Sequence, residues 1–176
     1  MKKVLAIWIF TSLISFCLLG IVYFVVQQDI RIGANDPQIQ MAEDTALALN
    51  RHEYMNFVQH SIDISQSLSP FLMTFDMNGI SKSSQAIFHN QTPTVPPGVF
   101  KYVLLHGEDR FTWQPGDGVR IAAVVTKYND GFVLSGRNIR EVEKREDNLL
   151  HQIMLGWAVV VTIALVSSII LFSRKK

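Results

Sequence analysis

Cysteine is nearly absent: the 176-residue chain has one, Cys17. A single thiol builds neither a disulfide framework nor a cysteine-based zinc site. Charge is scarce as well. Only 18% of residues are charged, against about 25% in an ordinary soluble domain, so something apolar dilutes the average. Neither sign dominates, and a net charge of +1 argues against a nucleic-acid binder working through a basic surface. Catalytic signatures are missing too. There is no G-x-S-x-G elbow, no phosphate-cradling glycine loop and no H-E-x-x-H pair. His52, His60, His89, His106 and His151 are scattered, and His52-Glu53 lacks a second histidine four residues on. They read as surface or interfacial histidines. The expectation is no metal, no cofactor and no enzymatic activity.

What the chain does have is two long apolar runs. Val4–Val26 holds 23 residues without a charge, and Gln152–Ser173 holds 22 more. A helix of about 20 residues crosses a hydrocarbon core of about 30 Å, and in lipid only a helix closes the backbone hydrogen bonds of one such run. Trp8, Tyr23 and Trp157 lie toward the span ends, as interfacial aromatics do. Met1-Lys2-Lys3 resembles the start of a signal peptide. The apolar run is too long for that, however, and no small-x-small cleavage site follows it. Bulky Phe16 ahead of Cys17 also argues against lipidation. The first run is therefore read as an uncleaved anchor.

Charge orients the spans. Five of the 16 basic residues, Lys2, Lys3, Arg174, Lys175 and Lys176, and none of the 15 acidic ones sit at the tips. The middle keeps 11 basic and 15 acidic residues, a net of −4. Basic flanks favour the cytoplasmic side. The expected layout is a two-pass protein of the cell's inner (cytoplasmic) membrane. Residues 1–3 and 174–176 are cytoplasmic tips, 4–26 and 152–173 cross the bilayer, and 27–151 lies outside. The outside segment has the length of one domain with its own core, while tips of three residues leave no room for a kinase, cyclase or DNA-binding output.

Within the outside segment, Gln27–Ile32 continues the first helix and Gly33–Pro37 interrupts it, with Asp36-Pro37 read as N-cap and first helical residue. Ile39, Ala42, Ala46 and Leu49 recur at helical spacing. Residues Arg51–Leu68 are read as helical in part. The period then changes. Pro70–Phe75 reads as a strand running into Asp76-Met77-Asn78-Gly79, whose Asn78-Gly79 supplies positive φ. Ile80–Phe88 is the return strand, and His89–Gly98 a proline-rich loop. Val99–Leu105 is a short helix or strand closed by Gly107. Arg110–Gln114, Val119–Tyr128 and Gly131–Ile139 follow as three antiparallel strands, and Arg140–Leu150 as a charged helix entering the second span. In it Glu141 and Arg145 form an i,i+4 pair, and Val142, Leu149 and Gly156 sit at heptad spacing.

This order is similar to an extracytoplasmic PAS-like or single-Cache sensor domain of bacterial membrane receptors. The stretches that carry the resemblance are SLSPFLMTFDMNG (67–79), VPPGVF (95–100) and the run from Arg110 to Glu146. The resemblance implies a mixed α/β (α+β) fold, a PAS-like antiparallel sheet with flanking helices between two transmembrane helices. It implies a sensor, but receptors of this kind continue into an output module and this chain stops at Lys176. A signal would have to pass to a membrane signalling partner.

One strand suggests a ligand site. Alternation puts Arg120, Ala122, Val124, Thr126 and Tyr128 on one face of Val119–Tyr128. Arg120 and Tyr128 bracket small side chains, and a guanidinium there suits a carboxylate or phosphate. Trp113, Tyr102 and Phe75 are candidate apolar walls. The plainer reading pairs Arg120 with Asp117 or Glu108 and places the aromatics in an ordinary core. In the second span, Ala164 and Ser168 form a small-xxx-small step that admits a close helix, as in a homodimer. The leading expectation is a non-enzymatic, membrane-anchored sensor or ligand-binding subunit, with lipid bilayer, protein partner and an unidentified small molecule as its contacts and no nucleic acid. The alternative is a structural or assembly subunit whose outside domain contacts protein. The two differ in whether the Arg120–Tyr128 face is open or filled.

Overall fold

The computed structural model describes residues 2–53 and 61–173. Residues 54–60, including His60, and the second tip at 174–176 lie outside the described residues. The chain divides into two compact units, Met1–Arg31 with Glu143–Lys176, and Ile32–Val142.

The first unit is a pair of helices. Helix α1 covers Lys2–Gly33 and α4 covers Arg140–Ser173, all but the first three residues of which belong to this unit. Both are long and apolar enough to cross a membrane. They meet along one narrow strip. On α1 the half-buried positions include Val4, Trp8, Ser12, Ser15, Leu19 and Tyr23; on α4 they include Leu149, Ile153, Trp157, Val161 and Ala164. Large apolar side chains elsewhere face outward, Phe10 and Phe24 among them. A core helix of a water-soluble protein would hide such residues.

Two side-chain bonds cross the strip. The Trp8 indole donates to the Val161 carbonyl at 3.0 Å, and the Trp157 indole donates to the Ser12 carbonyl at 3.3 Å. The two bonds run in opposite directions and set the antiparallel register. Both indoles thus serve helix pairing, since an N–H among apolar side chains needs an acceptor. The seam passes through Trp157, which Phe16 meets edge-on at 5.7 Å, and Gly156 is exposed. Ser168 is buried and Ala164 half-buried.

The second unit is a five-stranded antiparallel sheet with one helix packed against each face. Helix α2 (Asp36–Asn50) follows a two-residue turn, with Asn35 as its N-cap where Asp36 was expected, and Pro37 in its first turn. The sheet comprises β2 (Phe71–Asp76), β3 (Ser81–Ser84), β5 (Glu108–Gly116), β6 (Val119–Tyr128) and β7 (Gly131–Asn138), in the order β3-β2-β7-β6-β5. A small parallel pair, β1 (Ile62–Asp63) with β4 (Ala86–Ile87), lies apart from it. The return strand is therefore split: Ser84 ends the hairpin and Ala86 begins a different pairing. No helix is found in the described part of Arg51–Leu68. Helix α3 covers Pro97–His106 and is closed by Gly107.

The hairpin turn shows why its residues are there. Asp76 Oδ1 accepts from the N–H groups of Asn78 and Ile80 at 2.9 and 2.8 Å. Gly79 takes the positive φ, 79°, and a Cβ on it would lie 2.8 Å from the Phe100 ring. Only glycine both reaches that conformation and clears α3.

Alternation on the central strands splits the core in two. Phe71, Met73, Phe75, Trp113, Ile121, Ala123, Val125, Phe132 and Leu134 form one layer, with Phe100 and Val103 of α3. Leu72, Tyr128 and Val133 face the other way and pack with Ala46 of α2. Central strands buried on both faces read as continuous apolar runs, as FLMTF and IAAVV do.

Candidate functional site

The structure distributes the five expected ligand residues and does not bring them together. Arg120 is exposed near the start of β6, where its carbonyl accepts from the Ile139 N–H at 3.0 Å. Tyr128 ends the same strand, buried beneath α2. Eight residues of strand separate their Cα atoms by roughly 26 Å, too far for one small molecule to touch both. Trp113 and Phe75 are buried on the opposite face, Phe75 with its ring 4.8 Å from Phe100. Tyr102 points outward from α3, about half exposed and stacked on His106 at 4.0 Å. The Arg120–Tyr128 face is itself filled. Ala122, Val124 and Tyr128 are buried, and α2 lies across β6 and β7. Glu108, one suggested partner of Arg120, pairs with Arg110.

Other polar groups come together that the sequence did not single out. At the turn end of the sheet the Lys82 ammonium donates to the Tyr128 hydroxyl at 3.5 Å and to the Asp130 carbonyl at 3.2 Å. Beside it is a hollow of about 380 Å³ lined by Asn50, Gly107, Lys127, Tyr128 and Asn129. Asn50 Oδ1 accepts from the Asn129 N–H at 2.8 Å and so ties the end of α2 to the β6–β7 turn. Asn50 and Gly107, at the ends of α2 and α3, both line this hollow, and the Lys127 N–H donates to the Gly107 carbonyl at 3.0 Å.

The layer between α2 and the sheet is less well satisfied. Gln38 is fully buried, and neither its Oε1 nor its Nε2 has a hydrogen-bond partner among the described residues. The same holds for the Ser135 hydroxyl, also fully buried, and for Thr126 Oγ1. A buried polar group left without a partner costs about 1–3 kcal/mol. Helical spacing did mark this face of α2, through Ala42 and Ala46. It named Ile39 where the buried neighbour is Gln38, one residue away and polar. Sequence patterning favours apolar positions, so an inward glutamine gives it no signal.

Two carboxylates are held below their usual range by turn hydrogen bonds: Asp63 chiefly by the Ser65 hydroxyl, and Asp76 chiefly by the Ile80 N–H. In the first unit, Glu146 receives two bonds from Arg31, Nε to Oε1 at 2.7 Å and Nη2 to Oε2 at 3.0 Å, and a longer one from Gln27 at 3.5 Å. The bond to Glu146 raises the Arg31 pKa above its ordinary value. Among the described residues no group of three or more His, Cys, Asp or Glu side chains is placed to hold a metal ion. No protein-family model, curated protein or solved structure matches this chain.

Proposed function

We propose that this chain is a non-enzymatic, membrane-anchored sensor or ligand-binding subunit that acts through a protein partner. Its outside domain would lie between two transmembrane helices, with both termini in the cytoplasm. The observation that carries this reading is the layer of buried, unpartnered polar groups under α2. Such groups are costly in a purely structural element, and α2 continues through two residues of turn into α1. The order of hairpin, helix and three-strand meander on one antiparallel sheet supports the PAS-like or Cache-like character of the domain.

A second reading has its own observation. The Arg120–Tyr128 face is filled, and α3 presents Leu105 (83% exposed) and Tyr102 outward. Both suit a structural or assembly subunit that touches protein.

Thermal unfolding of the full chain in detergent micelles separates the two. The panel contains carboxylates, amines, sugars and amides, with Arg120→Ala run alongside. A ligand at 100 times its Kd stabilises by about 2.7 kcal/mol, a shift of several degrees for a domain of this size. A shift with any member supports the sensor. A flat panel on a folded protein overturns it in favour of the assembly role.

A further inference from the structure

The unpartnered groups under α2 lie along a single seam. The end of α2 is fixed at the β6–β7 turn by Asn50, and Ala46 packs with Tyr128 and Val133. The helix therefore runs back along β6 and β7 toward Asn138, with its buried positions Thr45, Ala42 and Gln38 in that order. On the sheet below, Thr126 pairs with Val133 and Ser135 with Val124. Thr126, Val133, Val124 and Ser135 all face α2 by alternation. Gln38 and Ser135 thus belong to the half of the seam nearer Asn138, and Thr126 to the half nearer the turn.

The rest of the seam is small, hydroxylated or apolar: Ala42, Thr45 and Ala46 from the helix, Thr74, Ala122, Val124 and Val133 from the strands. Among the described residues, no Asp, Glu, Lys or Arg is buried in this layer. Arg120 and Arg137 flank it at the Asn138 end of the strands. Arg120 is exposed, and Arg137 donates to the Leu68 carbonyl at 3.2 Å. A charge placed in the seam would lose its hydration without a counter-ion. An uncharged molecule with donors and acceptors would instead gain the bonds that the protein leaves unmade. A carboxamide offers two donors and an acceptor, and each hydroxyl one donor and two acceptor lone pairs.

We propose that the α2–β6–β7 seam is the ligand seat of this domain, closed in this structure. It takes a small uncharged molecule of the amide or urea class, which enters as α2 lifts and bonds to Gln38 and Ser135. This rests on the sensor reading and narrows it to one place and one ligand class. It also moves the site from the exposed Arg120 into the layer beneath α2, and makes displacement of that helix the conformational response to binding.

The test uses the full chain in detergent micelles, acetamide as the probe, and thermal unfolding as the readout. Gln38→Leu without probe should raise the midpoint by about 4 °C or more, because a group that bonds to nothing is replaced by one that needs no bond. Acetamide at 100 mM should raise the wild-type midpoint and leave Gln38→Leu unmoved. Ser135→Ala, a smaller change, should fold normally and lose most of the acetamide shift. A lower midpoint for Gln38→Leu would show that the carboxamide is already satisfied by protein, and would overturn the seat. An unchanged wild-type midpoint with acetamide, or an equal shift in all three proteins, would overturn it as well. The sensor reading falls separately. If acetamide fails but a charged panel member gives a shift that Arg120→Ala removes, the sensor stands and this seat does not.

Discussion

The helix pair and the sheet unit place the same kinds of residue in opposite locations. In the sheet unit Phe132, Leu134 and Ile121 are fully buried, and charged residues ring the turns. In the helix pair Phe10, Phe24 and Leu18 are more than half exposed, while Ser12, Trp157 and Glu146 occupy the contact strip. Water makes the first arrangement stable, because removing apolar area from it is favourable. The helix pair leaves its apolar area facing outward, and polar bonds join its two helices. The two indole–carbonyl bonds and the Arg31–Glu146 fork are such bonds.

The sharpest way to break this comparison is to delete the same side chain from both units. Phe132→Ala removes a ring packed at 5.1 Å against Phe100 and should cost the domain about 3–5 kcal/mol, read as a fall of many degrees in its melting midpoint. Phe24→Ala removes a ring that is 60% exposed, and the domain melt should stay within about 0.5 kcal/mol. Comparable losses from the two changes would mean that α1 is buried against protein.

A middle-sized effect is expected at the polar joint. The Glu146 side chain is 11% exposed and that of Arg31 60%. Arg31→Ala strips a buried carboxylate of its bidentate partner, but water reaches the gap. The full cost of breaking a buried pair, about 3–5 kcal/mol, should therefore shrink to about 1–2 kcal/mol. Sodium dodecyl sulfate titration of the chain in mild detergent, followed by fluorescence, would read it as easier helix separation. The domain's thermal midpoint should not move. Loss of domain stability instead would show that the joint supports the sheet unit.

Legibility followed the same division. Both apolar helices, the positions of β2, β6 and β7, and the D-x-N-G turn could be read directly, because each rests on a period or a local conformational demand. The role of Trp157 could not, since its acceptor is a carbonyl 145 residues away. The break at Gln85 was equally hidden: its N–H and side chain both bond to Leu72 and divert the return strand into a second pairing. The ligand residues failed for a related reason. Alternation correctly placed Arg120 and Tyr128 on one face, but it carries no information about what covers that face, and the cover is α2. Strand rise alone would have shown that those two residues stand too far apart.

The smallest expected effect concerns acid, and it belongs to the sheet unit. Asp76 is held below its usual range in the fold because the N–H groups of Ile80 and Asn78 bond to its ionised form. A carboxylate whose folded pKa is depressed adds stability above its unfolded value, about 3.9. That contribution is lost as pH falls through the lower folded value. Asp63 works in the same direction through Ser65. The domain's melting midpoint should therefore decline between pH 5 and pH 3. Asp76→Asn keeps an acceptor oxygen for the turn but has no proton to bind. It should melt slightly lower at pH 7 and lose less of its midpoint on acidification. If acidification lowers both proteins equally, the turn bonds of Asp76 do not favour its charged form, and the acid response of the domain has to come from Asp63 or from the remaining carboxylates.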